Sequence, residues 1–175
     1  AGAPPAAPST SETISGPAAG APGPVALTDL AVGDCGRFGL GLVIIDQGER
    51  LPCDEDHEAE VIAIDTRAEA ELGDAYPGRQ VLLDRGQDLC DQAYDQYVGG
   101  QIVISQLAAD VIVPTCAEWQ GLIRRSIICV VHRYDGGDLD GSVAGAERRF
   151  RITNGDPAPL GRLAGILCFD PANGV

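Results

Sequence analysis

The sequence predicts an α+β domain in which a small, mostly antiparallel sheet packs against one main helix and is cross-linked by disulfides. Three observations support this prediction: strand-length apolar segments bounded by turn residues, one long amphipathic segment at about residues 80–98, and an even number of cysteines, 6 in 175 residues. Because the apolar segments lie before and after a single long helical segment, the pattern favours α+β over parallel α/β architecture.

The composition is that of an acidic globular protein. Hydrophobic residues make up 45% of the chain and the formal net charge is −14. A charge of this sign repels nucleic acid and anionic lipid, and no apolar segment reaches the roughly 18 residues that a membrane helix requires. We therefore expect no nucleic-acid partner and no transmembrane segment in this chain.

The composition also divides the chain into two parts. Residues 1–24 are almost entirely Ala, Pro, Gly, Ser and Thr, and such a segment buries too little apolar surface to offset its ordering entropy. We expect a flexible arm or tether over residues 1–24 and the globular domain over residues 25–175. An alternative is that the arm lies on a neighbouring copy and holds a homo-oligomeric assembly together.

Residues 51–66 are the segment around which the domain is predicted to be built. The first half is an acidic turn with Cys53 and His57, and the second half alternates apolar and polar side chains. This alternation predicts a half-buried strand. Upstream, a turn carries Cys35, and residues 38–45 are apolar enough for a buried strand.

The strongest helical pattern covers residues 80–98, and Gly99 follows as a helix C-terminal signal. Apolar side chains recur at three- and four-residue steps, which predicts one buried stripe. The stripe consists of Leu82, Leu89, Cys90, Ala93, Tyr94 and Tyr97, and the acidic positions outside it are Asp84, Asp88, Asp91 and Asp95. Cys90 should therefore face the sheet. Residues 66–73 predict a short exposed helix.

Strand patterns return after this helix. The predicted segments are two short apolar pieces at 102–104 and 111–113, a central strand at 124–133, an edge strand at 148–152 and a last strand at 163–169. Thr115 is a plausible helix cap before a helical turn with the single tryptophan, Trp119. Residues 135–138 predict a hairpin turn.

Cysteine and methionine usage indicates an oxidising compartment. The 6 cysteines contain no Cys-x-x-Cys unit of the kind that zinc sites use, and the chain has no methionine and opens with small residues. We expect a secreted or cell-surface protein with its signal peptide removed and about three disulfides.

The segments that carry the strongest resemblance to a known family are Val32-Gly33-Asp34-Cys35, Pro52-Cys53-Asp54-Glu55-Asp56-His57-Glu58-Ala59-Glu60-Val61 and Cys90-Asp91-Gln92-Ala93-Tyr94-Asp95-Gln96-Tyr97-Val98-Gly99. A looser correspondence continues from Pro114 through Trp119 to Cys129 and at Leu139-Asp140-Gly141-Ser142. Together these segments resemble the septum formation domain family of actinobacterial cell-envelope proteins, over roughly residues 30–145.

The resemblance implies an extracytoplasmic, disulfide-bonded module that is linked by name to cell division and has no known enzymatic activity. It implies the disulfides Cys35–Cys53 and Cys90–Cys129, which leaves Cys116 and Cys168 for each other. We therefore expect a non-enzymatic binding or accessory module of the actinobacterial cell envelope, whose partner is a protein or another copy of the chain. An envelope metal-binding or hydrolytic enzyme that uses His57 and nearby carboxylates is the alternative.

His57, Glu60 and Trp119 are the candidate binding residues. His57 and Glu60 could act as an acid–base pair or as metal ligands. Side chains three apart on a strand point to opposite faces, however, so we expect them not to converge and His57 to be a structural hydrogen-bonding residue.

Three aspartates, Asp135, Asp138 and Asp140, precede Gly141 and resemble a calcium-binding loop. The order of ligands that such a loop requires, with a glutamate at its twelfth position, is missing. We expect a solvated hairpin in place of a metal site.

No other pattern indicates catalysis. His132 follows Cys129 by three positions on one predicted strand, so the imidazole should face away from the sulfur. The chain contains no nucleophile elbow, P-loop or dinucleotide fingerprint. We expect no cofactor.

Overall fold

The computed structural model describes residues 20–40, 47–100, 105–146 and 149, and over these residues it confirms the predicted α+β fold class. The strands are β1 (Gly23–Ala26), β2 (Cys35–Arg37), β3 (Gln47–Leu51), β4 (Ala59–Asp65), β5 (Leu107–Ile112) and β6 (Ile127–Arg133). The helices are α1 (Ala68–Leu72), α2 (Arg79–Val98) and α3 (Cys116–Gln120). All strand pairs are antiparallel, in the order β1-β3-β2-β4-β6-β5.

Both faces of the sheet are covered. On one face, α2 packs through Cys90, Tyr94 and Val98 onto Ile62 and Cys129. The other face is covered by N-terminal side chains and Phe38, and its buried residues are Val25, Leu27, Leu30, Phe38, Ala59, Val61, Ile112, Ile128 and Val130. The central strands therefore lie in a two-sided core.

The prediction that β4 is half-buried is wrong. Residues 59 through 62 are all buried, on both faces of the strand. The alternation arose because Glu60, a polar residue in the sequence, occupies an inward position under α2, where Tyr97 covers it. Polarity was a poor guide to exposure here because the buried carboxylate has hydrogen-bond partners.

Helix α2 confirms the strongest helical prediction and begins one residue earlier than expected. Its fully buried positions recur every four residues, at Leu82, Gly86, Cys90, Tyr94 and Val98. Three members of the predicted stripe, Leu89, Ala93 and Tyr97, are partly buried beside that row. Gly99 adopts a left-handed conformation with φ 87° and ends the helix.

Two disulfides staple this fold, and they are the two pairs that the family resemblance implied. The Cys35–Cys53 bond has a Cα–Cα distance of 5.2 Å and closes an 18-residue separation. The Cys90–Cys129 bond, at 5.4 Å, joins α2 to β6 over a separation of 39. In the chain-entropy account, each stabilises the fold by about 3–4 kcal/mol. Cys168 lies outside the described residues, so the pair Cys116–Cys168 stays a prediction.

Several other predictions meet the structure only in part. Residues 41–45 of the predicted 38–45 strand lie outside the described residues, and so do 102–104, all of 148–152 except Arg149, and 163–169. Phe38 is fully buried but lies just after β2. The turn after β6 is present, but Leu139 then pairs with His57 in an isolated bridge.

The short elements around the helix agree with the sequence. Helix α1 lies within the predicted 66–73 segment. Helix α3 starts with a capping box in which the Thr115 hydroxyl accepts a hydrogen bond from the Glu118 N–H and the Glu118 carboxylate accepts one from the Thr115 N–H. No helix in the described part of the chain is both long and apolar enough to span a membrane.

The last residues of the predicted arm, residues 20–24, contact the domain. Strand β1 starts at Gly23 and pairs with β3, and the Gly20 N–H donates to the Asp34 carboxylate at 3.1 Å. Residues 1–19 lie outside the described residues, so the proposed arm is described only where it joins the sheet.

Three carboxylates pair with arginines around the sheet, and each has a lowered pKa. The pairs are Asp34–Arg50, Asp65–Arg85 and Glu118–Arg124, with nitrogen–oxygen distances of 2.8, 2.6 and 2.9 Å. Burial alone would raise these pKa values, but hydrogen bonds from the arginines and backbone N–H groups more than offset it.

Replacing Gly86 with Ala should destabilise the fold by about 1–3 kcal/mol. A methyl group at this position would overlap the Val111 side chain and lie 3.0 Å from Ile127 Cγ2, which outweighs the gain of about 1 kcal/mol in helix propensity. Urea unfolding measures the change. Asp88→Ala, on the exposed face of the same helix, should stay within about 0.5 kcal/mol of wild type. Equal stability of both variants would contradict the close packing of α2.

Acid should destabilise the protein through the three paired carboxylates. Because the folded pKa of Asp65 lies below its ordinary value of 3.8, the folded state holds fewer protons than the unfolded state. The stabilisation is therefore complete above that value and lost as pH falls through the folded pKa. Asp65→Asn should cost about 1–3 kcal/mol near pH 7 and less near about pH 3, measured by urea unfolding. The control Asp54→Asn, at an exposed position, should leave the free energy of unfolding unchanged at both pH values. An equal loss of stability in Asp65→Asn at both pH values would contradict the lowered pKa of Asp65 as its cause.

Candidate functional site

A buried polar cluster lies where β2, β4 and the turn before β4 meet. It contains Cys35, His57 and Glu60, which are at most 1% exposed. One ligand-type atom from each residue lies within 4.8 Å of the others, and this is the only such group of three in the described part of the chain. We call it the His57–Glu60 cluster.

Glu60 is the best-connected side chain of the cluster. Its Oε1 accepts hydrogen bonds from the Tyr97 hydroxyl at 2.6 Å and the Ser142 hydroxyl at 2.9 Å, and its Oε2 accepts one from the Val143 N–H at 2.7 Å. These donors are neutral and allow the carboxylate to be buried. Burial, followed by the neighbouring Glu60, raises the pKa of Tyr97 and keeps its hydroxyl protonated as a donor.

His57 is held by its backbone and by one ring nitrogen. Its N–H and carbonyl both bond to Leu139, at 3.1 and 2.8 Å. Nδ1 lies 2.7 Å from the Glu55 carbonyl oxygen, so this nitrogen carries the hydrogen and donates. Nε2 is buried and has no hydrogen-bond partner among the described residues, which leaves a lone pair pointing into the protein.

The expectation that His57 and Glu60 do not converge is wrong. The parity rule applies only within a continuous strand, and His57 precedes β4, with a bend at Glu58 between them. The bend is held by the Glu58 carboxylate, which accepts the N–H groups of residues 38, 39 and 40 at 2.7–3.0 Å. Cys35 joins the cluster because it is directly opposite Glu60 in the β2–β4 ladder.

Trp119, the third candidate binding residue, is part of the core. Its side chain is fully buried, and the indole N–H donates to the Asp74 carbonyl oxygen at 3.1 Å. Tyr76 packs edge-on against it at 6.4 Å, and the Arg125 guanidinium lies 5.4 Å from the ring centroid. These contacts give the ring a structural role in organising α1 and α3.

The three aspartates of the calcium-like loop each face an arginine. Asp135 pairs with Arg133 at 2.5 Å, which lowers the pKa of Asp135 to about 2. Asp138 lies 3.8 Å from Arg37 and Asp140 lies 3.4 Å from Arg149. The carboxylates therefore diverge toward separate cations.

The Cys129–His132 pair is also accounted for. Cys129 is in a disulfide, so it has no thiolate to act as a nucleophile. His132 Nε2 lies 3.3 Å from Asp110 Oδ2, and burial lowers the pKa of this imidazole. The His132–Asp110 contact therefore joins neighbouring strands β6 and β5.

The outer face of α2 carries an acidic ridge. Asp84, Asp88, Asp91 and Asp95 are all exposed, and their spacing of three and four residues places them in one row along the helix. Gln80 and Gln87 donate to Asp84 and Asp91 at 2.6 and 2.8 Å. We call these four residues the acidic ridge.

Sequence reasoning missed two side chains that donate hydrogen bonds to Glu60 of the cluster, those of Tyr97 and Ser142. Tyr97 was assigned to the core only by its helical spacing, and Ser142 lies 82 positions from its partner Glu60. The looser family-like correspondence at Leu139-Asp140-Gly141-Ser142 was the one available signal for Ser142.

Fold and site together define a small, disulfide-cross-linked α+β module whose most reactive side chains are buried. Residues 32–154 of the chain match the family described as Septum formation. The chain belongs to this septum formation family. Neither a curated protein nor a solved structure shows significant similarity to it.

Glu60→Ala should destabilise the fold by about 3 kcal/mol, because it removes the acceptor of the buried Val143 N–H and of the partly buried Tyr97 and Ser142 hydroxyls. Glu60→Gln should cost about 1 kcal/mol, because the Tyr97 and Ser142 hydroxyls can rotate and accept from the new amide. Thermal and urea unfolding measure both changes. Glu55→Ala, at an exposed position of the same segment, is the control and should be neutral. Near-wild-type stability of Glu60→Ala would show that the carboxylate does not join these elements.

Proposed function

We propose that this chain is a non-enzymatic, extracytoplasmic binding or accessory module of the actinobacterial cell envelope that acts in septum formation. The main supporting observation is that the potentially reactive side chains are buried or disulfide-bonded and contribute to the stability of the fold. His57 and Glu60 are buried, and four cysteines form two disulfides. A substrate has no access to groups in such positions without opening the core.

The two disulfides support the extracytoplasmic location. Structural disulfides persist in secreted and surface proteins, whereas the reducing systems of the cytosol keep most cysteines in the thiol form. The Cys90–Cys129 bond crosses the centre of the core between α2 and β6, where reduction would disturb the main packing interface. A structural bond of this kind fits an oxidising compartment.

The charge distribution supports a binding role with a basic protein partner. The net charge is −14, and the acidic ridge on α2 presents four carboxylates that make no ion pair with the rest of the described chain. Complementary charge increases association rates and selects partners. We assign the ridge as the surface that meets the partner.

The assembly alternative depends on residues 1–24, most of which lie outside the described residues, so it has no structural support of its own. The enzymatic alternative has one supporting observation, the convergence of His57 and Glu60. Their burial and the hydrogen bonds on Glu60 favour a structural role.

Complementation in an actinobacterium that lacks the gene tests the proposal. The chain with an export signal should restore septum placement, and the same chain retained in the cytosol should not, because the module acts outside the membrane. Glu60→Gln, if folded, should restore septation as well as wild type does. Failure of a folded Glu60→Gln variant would favour a chemical role for the cluster over binding.

The ridge is tested by neutralising it in the exported chain. The variant Asp84→Asn, Asp88→Asn, Asp91→Asn, Asp95→Asn should lose septation while its melting temperature stays at or above that of wild type, because like charges along the helix are removed. The matched control removes four exposed charges elsewhere: Glu49→Gln, Asp54→Asn, Glu55→Gln, Asp56→Asn. Equal loss in both variants would reject the ridge as the partner surface.

A further inference from the structure

We propose that the His57–Glu60 cluster is a thiol-dependent binding site for a zinc-class cation, formed when the Cys35–Cys53 disulfide is reduced. Cys35, His57 and Glu60 already place one ligand-type atom each within 4.8 Å of the others. Cys53, bonded to Cys35 in the oxidised protein, is outside this group of three and would supply the fourth ligand by rotating its side chain toward the other three after reduction. The site would exist whichever partner the module binds.

The hydrogen bonding of the His57 ring is typical of a metal-binding histidine. Metal-binding histidines commonly donate one ring N–H to a backbone carbonyl, which fixes the tautomer and directs the other nitrogen to the metal. His57 Nδ1 makes this contact with the Glu55 carbonyl oxygen at 2.7 Å. Nε2 is fully buried without a donor in the described part of the chain, which is unfavourable for a polar atom. A bound cation would satisfy this lone pair.

Glu60 is oriented in the same way. Its Oε1 already accepts two hydrogen bonds, from Tyr97 and Ser142. Its Oε2 accepts only the Val143 N–H, and a carboxylate oxygen has room for a second interaction. Oε2 is therefore the oxygen that can bind a cation while the supporting hydrogen bonds stay in place.

The ligand set selects the class of metal. Two thiolates, one imidazole and one carboxylate match the sulfur, nitrogen and oxygen ligands of tetrahedral zinc. Calcium and magnesium prefer oxygen ligands only. In the oxidised protein the disulfide removes both thiolates, so only two ligands remain and the affinity should be weak.

The opening step is thiol–disulfide exchange with a dithiol reductant. The dithiol attacks a sulfur of the Cys35–Cys53 bond, its second thiol closes its own disulfide, and the chain receives two electrons and two protons as two thiols. Because Cys35 is fully buried and Cys53 is partly exposed, we expect the dithiol to attack the Cys53 sulfur. Binding of the cation then displaces the two thiol protons.

The second disulfide provides an internal comparison. Cys90 and Cys129 lie among apolar side chains, including Ile62, Val98 and Leu107. No histidine or carboxylate joins them in a group of ligand atoms among the described residues. Reducing this bond should release two thiols without creating a mixed-ligand metal site.

The test titrates the full chain, reduced with a phosphine, with cobalt(II) and then with zinc. We expect one cobalt per chain, with thiolate charge-transfer and tetrahedral visible bands, and its displacement by zinc. The unreduced chain should show no such bands. Cys35→Ser with Cys53→Ser should abolish them, whereas Cys90→Ser with Cys129→Ser, measured with metal present, should retain them.

His57→Asn separates the site from general thiol binding. The asparagine amide can still donate to the Glu55 carbonyl, but it lacks the second ring nitrogen, so zinc affinity should fall at least about tenfold. Glu60→Gln should also weaken zinc binding. Unchanged affinity in His57→Asn, or bands that persist without Cys35 and Cys53, would overturn the proposal.

If reduction unfolds the chain, near-UV circular dichroism of the buried Trp119 measures whether zinc refolds it. Zinc should then restore the native signal in wild type and not in His57→Asn, because binding energy at a structural site is folding energy. Failure of zinc to restore the wild-type signal would overturn the proposal. If His57→Asn does not fold even when oxidised, Glu60→Gln takes its place, and equal zinc affinity in that variant and in wild type would have the same meaning.

Discussion

The hydrogen bonds of the buried Glu60 carboxylate connect parts of the chain that are distant in sequence. Its three donors lie 37, 82 and 83 positions away, on α2 and on the segment after the Leu139–His57 bridge. A buried charge is costly unless such partners surround it. The positions of Tyr97 and of residues 142 and 143 are therefore coupled to β4. The same segment bonds to His57 through Leu139.

The disulfides act on the same architecture from two sides. Cys35–Cys53 pins the turn before β4 to β2, next to the carboxylate, and Cys90–Cys129 pins α2 to β6. Each bond restricts the unfolded chain and leaves hydrogen bonding and packing to set the details. This division explains how a chain with a strongly negative charge keeps a buried carboxylate and a buried imidazole close together.

The functional interpretation depends on access more than on residue type. The residues that indicated chemistry in the sequence are present, but they are buried, disulfide-bonded or paired with arginines. The outer face of α2 presents a row of four exposed carboxylates that make no ion pair within the described residues. For this reason the surface supports a binding role, while the interior supports a cation site only when the disulfide opens.

Local periodicity and capping were sufficient to predict the fold class, the position of α2, the capped turn at α3 and the central strand β6. The family-like segments further implied the two disulfide pairs. The burial of Glu60 and its convergence with His57 became evident only from the folded structure. Those facts depend on a bend at Glu58, on a cross-strand neighbour and on donors more than 80 residues away, and local patterns of polarity contain no information about such contacts.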